Sequence, residues 1–131
     1  MKRIMVFGTF DILHKGHLFF LKEAKKQGYL TVVVARDENV KKIKGRPPRE
    51  PLAKRIENIK NTGIADEVMP GYKEDFFKII LEKMPDIICV GYDQRIYGLK
   101  HWINQVKLNI EIKRIGPYKE DKYKSSKLGL N

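Results

Sequence analysis

Short apolar runs alternate with amphipathic stretches along the whole chain. Residues 2–8 (KRIMVFG) form a β-rich run ending in Gly8, a first strand. From Lys15 to Gln27, Leu18, Leu21 and Ala24 recur three apart, Phe19 and Phe20 widen the stripe, and Gly28 follows as a helix stop. Residues 30–35 (LTVVVA) and 86–91 (DIICVG) are the continuous apolar runs that a strand buried on both faces requires. Residues 66–69 (DEVM) make a weak strand ended by Pro70-Gly71, and 110–115 (IEIKRI) a last one. Helices are expected at 51–61, where Pro51 suits the first position, at 74–83, and at 98–108. Residues 37–50 hold Gly45, Pro47 and Pro48 in a basic run and read as a loop.

Parallel strands need crossover helices, so this alternation predicts a Rossmann-like, doubly wound parallel sheet of about five strands, a single α/β domain over 1–131. Right-handed crossovers put the ligand crevice at the carboxyl ends of the strands. The stretches that follow those ends are 8–17, 36–48, 91–97 and 116–126, and all four carry polar, charged or glycine residues.

Composition narrows the choice of partner. The 131 residues are 42% hydrophobic and 33% charged, an ordinary soluble composition. No apolar run approaches the ~18–20 residues of a spanning helix, and no secretory leader is recognisable at the start. A lone cysteine, Cys89, fits a reducing compartment, so a cytoplasmic location is expected. The formal charge of +11 suggests anionic partners: nucleic acid, a membrane surface or phosphorylated small molecules. Segments 41–55 and 113–131 carry +6 and +4 of it, so the excess is local.

The segment Gly8-Thr9-Phe10-Asp11-Ile12-Leu13-His14-Lys15-Gly16-His17 lies where such a fold binds phosphate, after the first strand and opening the first helix. It is neither G-x-G-x-x-G nor a P-loop. Its two histidines, three apart, lie on one side of a helix start, and Gly16 leaves room for a phosphate to approach the backbone. Amides at the helix start plus two imidazole donors suit a polyphosphate whose charge grows during reaction. An isolated histidine pair at this spacing would simply cap or pack at the helix start; a zinc site would need two further ligands, and the settings of Cys89 and His101 do not suggest them.

The string G-T-F-D-x-x-H-x-G-H resembles the signature of the cytidylyltransferase-like nucleotidyltransferases. Within that superfamily, Val34-Ala35-Arg36-Asp37-Glu38-Asn39-Val40, Lys44-Gly45-Arg46-Pro47 and Gly91-Tyr92-Asp93-Gln94 look most like the archaeal FAD synthases, the FMN adenylyltransferases. The resemblance implies attack of an FMN phosphate oxygen on the α-phosphorus of ATP, with Mg²⁺ or another divalent cation and release of pyrophosphate. It also implies a possible homodimer. An ionised phosphate needs no general base, so catalysis would come from positioning and charge neutralisation. A cytidylyltransferase acting on glycerol 3-phosphate or a similar alcohol, or an adenylyltransferase acting on a sugar phosphate, remains open, as does a basic nucleic-acid-binding domain. The last leaves the ten-residue signature unexplained and lacks an RNP-like aromatic motif.

By the same resemblance, His14 and His17 contact the phosphates, and Thr9, Phe10, Lys15 and Gly16 line the nucleotide, although Lys15 also reads as a solvated charge. Asp93 holds ribose or base, Tyr118 lines the base, and Lys119, Ser125 and Ser126 meet the terminal phosphates. Lys44 and Arg46 face the triphosphate or the acceptor phosphate, with Lys44 counted as catalytic. Asp11 and Arg55 are assigned to the acceptor; a turn aspartate and a surface ion pair explain them equally well.

Overall fold

The structure, a computed structural model, describes residues 1–95 and 98–118. Five parallel strands form one sheet: β1 (Arg3–Gly8), β2 (Tyr29–Val34), β3 (Glu67–Pro70), β4 (Ile87–Val90) and β5 (Glu111–Arg114), in the order β3-β2-β1-β4-β5. The helices are α1 (Lys15–Lys25), α2 (Asp37–Lys44), α3 (Leu52–Asn61), α4 (Lys78–Lys83) and α5 (Leu99–Gln105). This is the Rossmann-like arrangement expected from the sequence.

Alternate residues of the central strands feed two separate cores, because successive side chains in a strand point to opposite faces. Ile4, Val6, Leu30, Val32 and Val34 meet Leu21 and Ala24 of α1 and Ile59 of α3. Met5, Phe7, Val33, Ile88 and Val90 meet Ile79 and Ile80 of α4 and Leu99 and Ile103 of α5. The chain leaves β1 toward β2 and β3, then returns to place β4 on the other side of β1. The order therefore reverses between β1 and β4, where a doubly wound sheet opens its crevice.

One sequence expectation is corrected here. Residues 37–44 are helical where a loop was expected, because polar end signals replace an apolar stripe. Asp37 and Glu38 fill the first turn, Lys41, Lys42 and Lys44 the last, and Gly45 closes the helix at φ 80°. Only Val40 of this helix is buried. The Gly and Pro signals belong to the segment that follows.

Gly28 is dictated by a close approach. The amide of Tyr29 donates to the carbonyl of Lys2 at 2.8 Å to start the β1–β2 pairing. A Cβ on Gly28 would stand 2.1 Å from that same carbonyl oxygen. Gly28→Ala should therefore destabilise the fold by about 1–3 kcal/mol in urea unfolding, the cost of forced overpacking; an unchanged midpoint would show that the backbone yields freely there.

Candidate active site

Helix α1 begins at the carboxyl end of β1, and its first amides need acceptors. His14 is the N-cap, in extended conformation. Its Nδ1 accepts the Gly16 amide at 3.1 Å, and its side chain also takes the His17 amide. His17 returns the favour: its Nδ1 accepts the His14 amide at 3.3 Å. This is a capping box built from two imidazoles in place of Ser/Thr and Glu/Gln. The rings stack, with centroids 3.8 Å apart. With both Nδ1 atoms accepting, each neutral ring carries its proton on Nε2, so both present a donor away from the helix backbone.

The glycines of the signature answer to these side chains. A Cβ on Gly16 would fall 2.9 Å from Cε1 of His14, so the spacing serves the cap as well as any phosphate. A Cβ on Gly8 would fall 2.7 Å from the Phe10 ring. Phe10, at φ 51°, folds that ring into the core, where its edge backs His17 at 5.7 Å between centroids. Phe10 is expected to line the nucleotide; its ring is buried and packs against His17, which leaves its backbone for such a contact. Ile12 also has positive φ, at 57°. Two such non-glycine residues in one turn are strained and persist only where the surroundings hold them.

Those surroundings are a set of polar clamps. Asp11 accepts the amides of Arg49 and Glu50 at 2.8 and 2.9 Å. The Glu50 carboxylate accepts the amide of Ile12 at 3.0 Å and is itself steadied by Asn58. Burial would raise the Asp11 carboxyl, but these two amides and the nearby Arg55 and Lys44 charges outweigh it and hold it below the usual carboxylate range. Arg55 is wholly buried. It donates to the carbonyls of Thr9, Ala35 and Glu50 at 2.8, 2.8 and 2.9 Å, and to Asp37 at 2.6 Å. The acceptor contact expected of Arg55 is corrected accordingly: its guanidinium joins the signature loop, the end of β2, the start of α2 and the approach to α3. Asp11 likewise spends both oxygens on backbone amides.

The far wall is the loop after β4. The Gln94 side chain takes the Gly91 amide at 3.1 Å and donates to the Phe7 carbonyl at 3.0 Å. Arg114 of β5 donates to the carbonyls of Gly91 and Gln94 at 2.6 and 2.9 Å. Asp93 lies in this loop, just past the carboxyl end of β4, and is exposed. Tyr118 lies against Phe19 of α1, with ring centroids 5.6 Å apart. Lys44 and Arg46 flank Gly45 at the exposed end of α2. Lys15 is the first residue of α1 and is exposed. Lys119, Ser125 and Ser126 lie outside the described residues.

The match to known proteins is consistent with this geometry. The family model described as cytidylyltransferase-like matches residues 5–128. The chain belongs to the cytidylyltransferase-like family. Within it, the FAD synthase of Pyrococcus horikoshii is 41% identical, the alignment covering 96% of this chain and 88% of that one. The FAD synthase of Thermoplasma acidophilum is 40% identical over 90% and 84% of the two chains. A solved structure from Thermoplasma volcanium, titled a lipopolysaccharide core biosynthesis protein, superposes with TM-score 0.85 at 39% identity, covering 91% of this chain and 99% of that one. Pantothenate synthetase from Thermus thermophilus shares the fold at 15% identity, with TM-score 0.65.

Sequence reasoning missed the family member's supporting residues: Asp37, Glu50, Asn58, Gln94 and Arg114. Glu50, Gln94 and Arg114 act on backbone groups distant in sequence, Asp37 on the Arg55 guanidinium and Asn58 on the Glu50 carboxylate, so no local spacing marks them. Arg55 has the clearest energetic consequence. Arg55→Met should cost about 3–5 kcal/mol of stability, because the carbonyls of Thr9, Ala35 and Glu50 lose a charged donor at roughly 1–3 kcal/mol each; a loss under ~1 kcal/mol in denaturant unfolding would deny the clamp its role. His17 supplies a pH signature. Burial, then the His14 and Lys44 charges, push its pKa down to about 4 from 6.5, with Asp11 pulling weakly the other way. The unfolded chain therefore binds more protons between those values, and stability should fall as pH drops from about 6.5 toward 4. In His17→Gln, which keeps an N3 acceptor, that fall should be shallower; identical pH profiles would show that His17 titrates normally.

Proposed function

We propose that this chain transfers the AMP of ATP to the phosphate of FMN, giving FAD and pyrophosphate. The observation that carries the reading is the identity of about 40% to FAD synthases across nearly the whole chain, with the signature histidines placed as paired donors. An FMN phosphate oxygen attacks the α-phosphorus of ATP. The bond from that phosphorus to the bridging oxygen breaks, and pyrophosphate leaves with the electron pair. Negative charge grows on the leaving group and on the equatorial oxygens. The Nε2–H groups of His14 and His17, backed by the positive end of α1 and by Lys44, meet that charge. Arg46 adds charge for the phosphates, and Thr9 brings its backbone to the nucleotide. Asp93 and Tyr118 take the nucleoside end, and Lys119, Ser125 and Ser126 the terminal phosphates.

Neutral histidine is the useful form here, because it donates from Nε2 while Nδ1 keeps the helix capped. A protonated ring would lose the cap. Among the described residues no group of three or more His, Cys, Asp or Glu side chains is placed to hold a metal. Magnesium is usually held mainly by phosphate oxygens, so the divalent cation enters with the substrate, as MgATP. The basic segment 41–55 flanks the same crevice, which gives its charge a phosphorylated small-molecule partner. Among the described residues no helix is long and apolar enough to cross a membrane.

The test incubates the protein with MgATP and FMN and, separately, with MgCTP and glycerol 3-phosphate. FAD and pyrophosphate should form in the first mixture; a CDP-alcohol from the second alone would contradict the reading. His17→Gln retains the capping box but removes the imidazole donor. It should keep its helix content by circular dichroism and lose ~100-fold or more in turnover, the effect of deleting one transition-state donor. Undiminished turnover would take His17 out of the reaction.

A further inference from the structure

The face of the sheet opposite α1 carries a feature that the phosphate site leaves unexplained. Four aromatic rings form a ladder from the end of β1 to α5. Phe7 meets Phe76 at 4.8 Å between centroids, Phe76 meets Phe77 edge-on at 5.3 Å, and Phe77 stacks on Trp102 at 4.6 Å. Phe7 is buried and Phe77 and Trp102 are half-buried, so these three close the core beneath α4 and α5. Phe76 differs: it is 53% exposed, with one part of its ring against Phe7 and much of the rest in water.

Its position relative to the site is set by Phe7. That residue precedes Gly8, where the signature loop begins, and its carbonyl accepts the Gln94 side chain of the far wall. Phe76 thus stands at the carboxyl end of the central strand, on the other side of it from α1 and its histidines. The adjoining turn is held in place: Arg36 donates to the Gly71 carbonyl at 2.7 Å and Asn39 to the Tyr72 carbonyl at 3.1 Å. Gly71 places no side chain above Val33. Tyr118, against Phe19 of α1, and Asp93, in the loop after β4, are already assigned to the nucleoside of ATP.

We propose that Phe76 is the stacking platform for the isoalloxazine ring of the acceptor. The inference rests on the FMN reading above and deepens it by assigning the flavin end of the substrate. The flexible ribityl chain lets the ring lie on Phe76 while the phosphate crosses the end of β1 to His14, His17 and Lys44. A planar aromatic ring on an exposed aromatic side chain gains through stacking, and the partner face is retained against Phe7. Loss of one such platform for a nucleic-acid base weakens binding by roughly ten- to a hundredfold, and a flavin presents a larger face.

The experiment uses the full chain and follows flavin fluorescence, which stacking quenches, together with steady-state kinetics. Phe76→Ala should raise the Kd and KM for FMN by about tenfold or more while the KM for ATP stays within twofold. Riboflavin, which has the ring but no phosphate, should compete with FMN in the wild type and fail to do so in this variant. Phe76→Trp should restore binding. Phe76→Leu, which still covers Phe7, should keep the thermal midpoint and the ATP parameters but not the flavin affinity. FAD formation with an unchanged FMN affinity in both Phe76→Ala and Phe76→Leu would overturn this inference alone, as would an equal loss for FMN and ATP. A wild-type protein that neither binds FMN nor forms FAD would overturn the functional reading and this inference with it.

Discussion

The opening turn of α1 presents amides that need acceptors, and two imidazoles supply them. His14 and His17 each spend Nδ1 on the backbone. That single constraint sets the tautomer of both rings, stacks them, requires a glycine between them, and leaves two Nε2–H donors beside the positive end of a helix. Capping takes one nitrogen of each ring, and the proposed chemistry takes the other. A serine–glutamate capping box would start the helix as well and would offer no such donors.

The cap holds its position only because the loop ahead of it is pinned. Phe10 and Ile12 both sit at positive φ, which costs energy that local sequence does not repay. Asp11 accepts the amides of Arg49 and Glu50, the Glu50 carboxylate accepts the amide of Ile12, and Arg55 gathers carbonyls from three segments into one buried guanidinium. Asp37, the first residue of α2, is tied to the same group, so the helix that ends at Lys44 is oriented by the clamp that orients Thr9. The basic charge of residues 41–55 thus has two uses. Arg55 is internal and structural, whereas Lys44 and Arg46 remain at the exposed end of α2.

The strands were legible because Ile4 to Phe7, Leu30 to Val34 and Ile87 to Val90 are buried from both faces and read as continuous runs that are apolar apart from the β-branched Thr31. The signature was legible because its chemistry lies within ten consecutive residues. Helix α2 was not, since its evidence is charge at its two ends and a closing glycine, in a stretch whose prolines suggest a loop. The inward turn of Arg55 was not legible because its partners, three carbonyls and Asp37, come from elsewhere in the chain, whereas Asp11 shows the loop-ordering side of its reading, each oxygen accepting a backbone amide. Phe76 and Phe77 are adjacent and alike in sequence; only the fold separates the exposed ring from the half-buried one.

The central claim is that helix capping fixes both histidines as Nε2–H donors aimed at phosphate. Long-range proton–nitrogen correlation spectra of the two imidazoles at neutral pH, with and without a non-hydrolysable MgATP analogue, test it directly. Both rings should show a bare Nδ1 and a protonated Nε2 in the free protein, and the analogue should shift Nε2 far more than Nδ1. A protonated Nδ1 on either ring of the free protein, or no response at Nε2 when the analogue binds, would contradict the account.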